Sequence, residues 1–169
     1  MNSKKITLSG LLLALGIIIP IAFHVLGAAG KIFLPMHLSV LVAGYLLPPV
    51  NALVVGLLTP FLSSVLTGMP ITYPIMPIMV VELGTYGLVI SLLNKKGIKN
   101  IYFKLVAAMI SGRVIAGLMV YFMANIIGLK INALLYVKGS IITGLPGIVI
   151  QLIIIPLVIK LLNTQGVFE

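Results

Sequence analysis

The sequence predicts an all-α integral membrane protein: a single domain over residues 1–169 with six transmembrane helices and both termini in the cytoplasm. Three observations predict it. Hydrophobic residues make up 61% of the chain and charged residues 8%, whereas a soluble domain carries about 25% charged residues. The mean hydropathy is +1.30. The 169 residues divide into about six apolar runs of ~20 residues with short links between them. No period-two alternation points to a barrel, and no repeat or low-complexity tract interrupts the pattern. The net charge of +9 sits on lysines dispersed between apolar runs. Without a basic helix face or an aromatic platform it does not indicate a nucleic-acid partner. The absence of cysteine excludes disulfides, thiolate metal sites and a Cys nucleophile.

The first run covers residues 6–26, behind Lys4 and Lys5, and is longer than the ~7–15 residue core of a signal peptide. It is expected to be a retained helix kinked at Pro20. The second, LPMHLSVLVAGYLLPP, is short for a span; Pro35 suits its first turn and Pro48-Pro49 end it. The third, residues 50–66, follows at once, with a kink expected at Pro60. The fourth starts near Ile75 or Pro77 and stops at Asn94-Lys95-Lys96-Gly97, where cations face the helix dipole and a glycine terminates it. Helix five is expected over residues 101–127 and helix six over 140–162, with GLKINALLYVKG packed on the protein between them.

Six spans put both termini on one side. That side then holds Lys4, Lys5, Lys95, Lys96, Lys99, Lys104 and Lys160, against Lys31, Lys130 and Lys138 on the other. The positive-inside rule makes the lysine-rich side cytoplasmic.

The stretch GMPITYPIMPIMVVELGTY carries Glu82, the only acid before the C-terminal residue. A charge at a helix centre costs about 2.5 kcal/mol or more, so it requires a partner and a role. Arg113, near the middle of helix five, is the candidate partner. Spacing by four residues groups Arg113 with Gly117, Tyr121 and Asn125. It groups Glu82 with Tyr86, and Thr143 with Gly147 and Gln151. Helices four to six would then enclose one polar, outward-opening cavity for a small polar molecule. The plain alternative is a structural ion pair with the amides as interhelical glue. Tyr73 would cover a ligand or anchor its loop at the interface. His37 begins helix two at the outer side, and with no second His or Asp near it no metal site is expected. Ser63 and Ser64 have no base nearby, there is no Asp, and no phosphate loop follows a strand, so neither an enzyme nor a cofactor is expected. Gly10 and Ala14 form a small-xxx-small pair on helix one, with Ser9 and Gly16 beside them.

The segments LPMHLSVLVAGYLLPPVNALVVGLLTPFLSSVLTGMP and PIMVVELGTYGLVISLL resemble the substrate-binding S component of an energy-coupling factor (ECF) transporter, in its predicted pantothenate-specific branch. The resemblance implies high-affinity capture of a small water-soluble vitamin, pantothenate first. It implies a transmembrane coupling protein and two ATPase subunits as partners, with Gly10 and Ala14 at the coupling interface. It also implies a site near the outer face, for which the candidates are Glu82, Tyr86, Arg113, Tyr121, Asn125, Gln151, His37 and Tyr73. Pyridoxine-, niacin- and lipoate-like solutes are the other substrates considered, and a passive small-solute channel or facilitator is the alternative function.

Overall fold

The computed structural model describes residues 3–25, 34–128 and 131–164. The first linker with Lys31, and Lys130 from the charge count, lie outside the described residues, as does the side chain of His24. Six helices follow in order among the described residues: α1 (Ser3–Val25), α2 (Pro35–Leu46), α3 (Pro49–Thr67), α4 (Ile75–Lys95), α5 (Ile101–Ile126) and α6 (Ala133–Thr164). All but α2 are long and apolar enough to cross a membrane. The twelve residues of α2 rise only about 18 Å, short of a ~30 Å hydrocarbon core.

The helix ends follow local chemistry. Pro35 and Pro49 occupy first-turn positions of α2 and α3, where no intrahelical N–H is lost. Gly68 closes α3 at φ 72°, a left-handed conformation that favours glycine, and its N–H reaches the Ser64 carbonyl. Asn100 caps α5, its Oδ1 accepting from the Phe103 N–H at 3.0 Å. α6 departs from expectation by beginning seven residues early. Asn132 Oδ1 accepts from the Leu135 N–H at 3.1 Å, which caps a helix that runs through Lys138 and Gly139. Residues 133–139 of the segment expected as a packed connection are therefore the first two turns of α6. The helix also continues through Pro20, Pro60, Pro146 and Pro156.

Small residues decide which helices come closest. A Cβ on Gly56 of α3 would stand 2.4 Å from the Leu83 carbonyl oxygen, and one on Gly87 of α4 2.4 Å from that of Ala52. The α3–α4 backbones thus touch where both glycines lie, as helices do in lipid when dispersion rather than water drives packing. Gly16 lets α1 approach the Thr59 side chain of α3, where a Cβ would stand 2.5 Å from Cγ2. The main core gathers Val40, Leu41, Leu83, Tyr86, Ile90, Leu105, Ala108 and Ile155 from α2, α4, α5 and α6.

The loop between α3 and α4 is bound to the end of α3 by hydroxyls. Ser63 donates to the Met69 carbonyl at 2.7 Å, and Ser64 and Thr72 meet at 3.3 Å. That gives the two serines a structural use and fixes the loop against the end of α3.

Candidate substrate-binding site

Glu82 is 2% exposed. One of its oxygens gathers three partners. Arg113 Nη1 from α5 lies 2.9 Å from Oε1, the Tyr86 hydroxyl one turn along α4 donates to it at 2.9 Å, and His37 Nε2 from α2 stands 3.9 Å away. The last distance exceeds a hydrogen bond, so His37 contributes as a polar neighbour. Its ring is tilted by 60° against Tyr86, with centroids 5.5 Å apart.

The geometry has a backbone cause. Gly112 on α5 leaves room for the Tyr86 ring, since a Cβ there would overlap Cε1 at 2.0 Å. That close approach brings the next residue, Arg113, within reach of Glu82. Gly144 on α6 faces the guanidinium from the other side, where a Cβ would stand in ordinary contact with Arg113 Nη2 at 3.5 Å. Three helices therefore meet around one guanidinium. Arg113 is itself 11% exposed and lines a cavity of about 660 Å³ between α5 and α6. Apart from Arg113 and the Tyr121 hydroxyl, the cavity walls are hydrocarbon, from Met109, Val114, Leu118, Leu134, Val137 and Ile148 among others.

Several buried donors in this region lack partners. Neither ring nitrogen of His37, nor Arg113 Nε, nor Gln151 Nε2 makes a hydrogen bond. Each unsatisfied buried polar group costs about 1–3 kcal/mol, so these atoms call for water or a ligand as partner. Gln151 sits on the buried face of α6 with Gly144, Gly147 and Ile155.

Of the residues expected from the sequence, the structure brings His37, Glu82, Tyr86 and Arg113 together, and buries Gln151 on the neighbouring helix. It places Tyr121 at the wall of the α5–α6 cavity, 63% exposed. Asn125 lies exposed a turn further, its amide donating to the Tyr121 carbonyl at 2.8 Å. Tyr73 is exposed in the α3–α4 loop, and Thr143 is exposed with its hydroxyl on the Gly139 carbonyl. The cavity thus has apolar walls and an arginine at its edge, where the sequence suggested a polar lining. Sequence reasoning missed Tyr136. It packs on the cluster of Ile78, Ala116, Val120 and Met123, and Ile78 is one turn before Glu82. Recognising Asn132 as the cap of α6 would have placed Tyr136 on a helix facing the site. Among the described residues no group of His, Cys, Asp or Glu is suited to hold a metal ion.

These features define the class first: a small multi-pass membrane protein whose polar groups converge on a buried Glu–Arg pair beside a cavity. Residues 4–159 match the family described as ECF transporter, substrate-specific component, and the chain belongs to that family. Neither the curated proteins nor the solved structures contain a match. Membership makes the chain a substrate-capture subunit of an ECF transporter, which works with a coupling component and ATPases.

Proposed function

We propose that the subunit captures a small vitamin bearing a carboxylate, at the junction of the His37–Glu82–Tyr86–Arg113 cluster with the α5–α6 cavity, and that pantothenate is the first substrate to test. The observation that carries this reading is Arg113. One of its nitrogens is fixed on Glu82 at 2.9 Å, its Nε is unpartnered, and the residue borders a cavity of about 660 Å³. A guanidinium presents five donors in a fixed fork, so one edge can hold Glu82 while another accepts a ligand carboxylate. Glu82 then acts by orienting Arg113 and keeping it neutralised while the site is empty. Tyr86 fixes Glu82, and Gln151 and His37 offer hydrogen bonds to hydroxyl or amide groups of the ligand. Tyr73, on the bound loop, covers the outer side, and Tyr121 and Asn125 line the approach along α5.

The hydrocarbon walls favour a second substrate within the same class, a carboxylate with an apolar body of the lipoate kind. Both readings place the charge on Arg113. Titration of the purified subunit with pantothenate and with lipoate, by calorimetry, separates them. In either case Arg113→Ala is expected to weaken binding at least a hundredfold, the loss of a charge-assisted bidentate contact. Wild-type affinity in a monodisperse Arg113→Ala protein would remove the assignment. Solute flux through liposomes holding the subunit alone would favour a passive facilitator instead.

We further propose that both termini are cytoplasmic, that all six helices lie in the plasma membrane, and that the partners are one coupling protein and two ATPase subunits. The seven-to-three lysine division supports the orientation. Gly10 and Ala14 are assigned to the coupling interface. A Cβ on Gly10 would meet nothing within 4 Å, so this face of α1 is open to another helix.

A further inference from the structure

A second pocket, of about 530 Å³, lies at the other end of the bundle from the α3–α4 loop. It is formed where α4 ends, α5 begins and the last turns of α6 pass them, and Lys99, Lys104 and Lys160 all line it. Lys104 is the unusual member, at 7% exposed. Its Nζ donates to Asn94 Oδ1 at 2.5 Å and stands 4.6 Å above the centre of the Tyr45 ring. Asn94 is held in turn by its Nδ2, which donates to the Gly44 and Tyr45 carbonyls at 3.2 and 3.3 Å. The Tyr45 hydroxyl donates to the Ile101 carbonyl at 2.9 Å. Three helices, α2, α4 and α5, therefore fix one ammonium in place, with hydrogens left over after Asn94 has taken one.

Among the described residues no acid lines this pocket. The chain has two acids; Glu169 lies outside the described residues, and Glu82 stands twelve residues up α4 from Asn94, about 18 Å along the helix. Lysines at a membrane boundary often serve topology alone, and such lysines extend into water. Lys104 instead is buried on an oriented amide and an aromatic face, which stabilise a cation without neutralising it. Lys95 and Lys96 at the end of α4 mark this level as the membrane surface. Beside the pocket, Tyr102, Phe103 and Leu157 are exposed and apolar, a surface on which acyl chains can lie.

We infer that this pocket binds the phosphate of an anionic glycerophospholipid, with Lys104 as its fixed contact and Lys99 and Lys160 as its outer ones. Basic pockets between transmembrane helices hold phospholipid headgroups by this combination of charge and depth. Free phosphate shares the headgroup chemistry and lacks the acyl chains. The subunit, delipidated in neutral detergent, is titrated with phosphatidylglycerol, phosphatidylcholine and inorganic phosphate, and bound species are counted by native mass spectrometry. One phosphatidylglycerol per chain is expected at concentrations where phosphatidylcholine is not retained. Equimolar inorganic phosphate is not expected to displace it; displacement would keep the anion site and make its source soluble phosphate. Lys160→Gln, at an exposed position that folding tolerates, is expected to weaken retention about fivefold, and Lys104→Met to abolish it. Equal retention of the two lipids, or unchanged retention in a Lys99→Gln/Lys160→Gln double variant, overturns the proposal. Loss of assembly with the coupling component in those variants, with lipid retention unchanged, overturns it in favour of a protein contact.

Discussion

The α3–α4 seam and the α5–α6 seam are built on opposite terms. In the first, glycines bring backbone against backbone, so that any Cβ at Gly56 or Gly87 would strike a carbonyl oxygen at 2.4 Å. In the second, large side chains stand apart around a cavity of about 660 Å³, and a Cβ on Gly117 would meet only the Val137 Cγ2 methyl, at 2.9 Å. Close-packed seams leave no freedom, whereas a cavity forfeits dispersion contacts along its lining. In the function proposed above, the rigid wall holds Glu82 in register and the yielding one admits a ligand. Arg113 is the hinge between them, since it comes from the loose seam and is held by the tight one.

The largest way to break this arrangement is to remove the charge that joins the two halves. Glu82→Gln leaves Arg113 buried with no counter-charge, and is expected to destabilise the empty subunit by about 3–5 kcal/mol. Replacing both partners, as Glu82→Gln/Arg113→Met, is expected to recover most of that stability while ligand binding stays lost. Thermal melts in detergent check the first part and calorimetry the second. Equal melting temperatures for wild type and Glu82→Gln would show that the pair does not join the halves.

Next in size is the contrast between the seams. Gly87→Ala is expected to cost about 1–3 kcal/mol by overpacking against the Ala52 carbonyl, outweighing the ~1 kcal/mol that alanine gains in a helix interior. Gly117→Ala meets a side-chain methyl beside empty space and is expected to be neutral or slightly stabilising, within about 0.5 kcal/mol. Unfolding titrations of the two variants side by side test the sign. Similar losses at both positions would mean that the seams do not differ in the way their geometry indicates.

The same contrast explains what was legible in the sequence. Glu82 and Arg113 are rare charges in apolar helices, so their pairing was open to inference before any coordinates, as were the ends of α2, α3 and α4, where proline and glycine punctuate the chain. Tyr121 and Asn125 were grouped with Arg113 by steps of four. At 100° per residue each such step advances 40°, so Tyr121 stands about 80° and Asn125 about 120° around α5 from Arg113. That rotation carries them from the tight side of the helix to the cavity wall and then to the surface. Thr143 is separated from Gln151 on α6 by the same drift, and it too is exposed. One step of four keeps residues on a face, as with Glu82 and Tyr86; two or three do not. The early start of α6 had a local signal in Asn132, but the apolar run around it carried no break to mark a boundary.

The smallest expected effect on the subunit itself lies on α1, where two glycines six residues apart face different surroundings. A Cβ on Gly16 would come 2.5 Å from Thr59 Cγ2, while one on Gly10 meets nothing within 4 Å. Gly16→Leu is therefore an internal overpacking change and is expected to lower stability. Gly10→Leu should leave the melting temperature and ligand affinity of the isolated subunit unchanged. Its neighbours Leu11, Leu15 and Ile18 are already exposed and apolar, so one more leucine adds nothing that lipid does not accept. What it removes is close approach, because a helix that packs on Gly10 and Ala14 needs backbone distance rather than hydrocarbon. Uptake by the assembled transporter is expected to fall to background in Gly10→Leu, with binding intact. Normal uptake would move the coupling interface off this face of α1, and impaired binding in the isolated subunit would mean that α1 belongs to the capture site rather than to the partner.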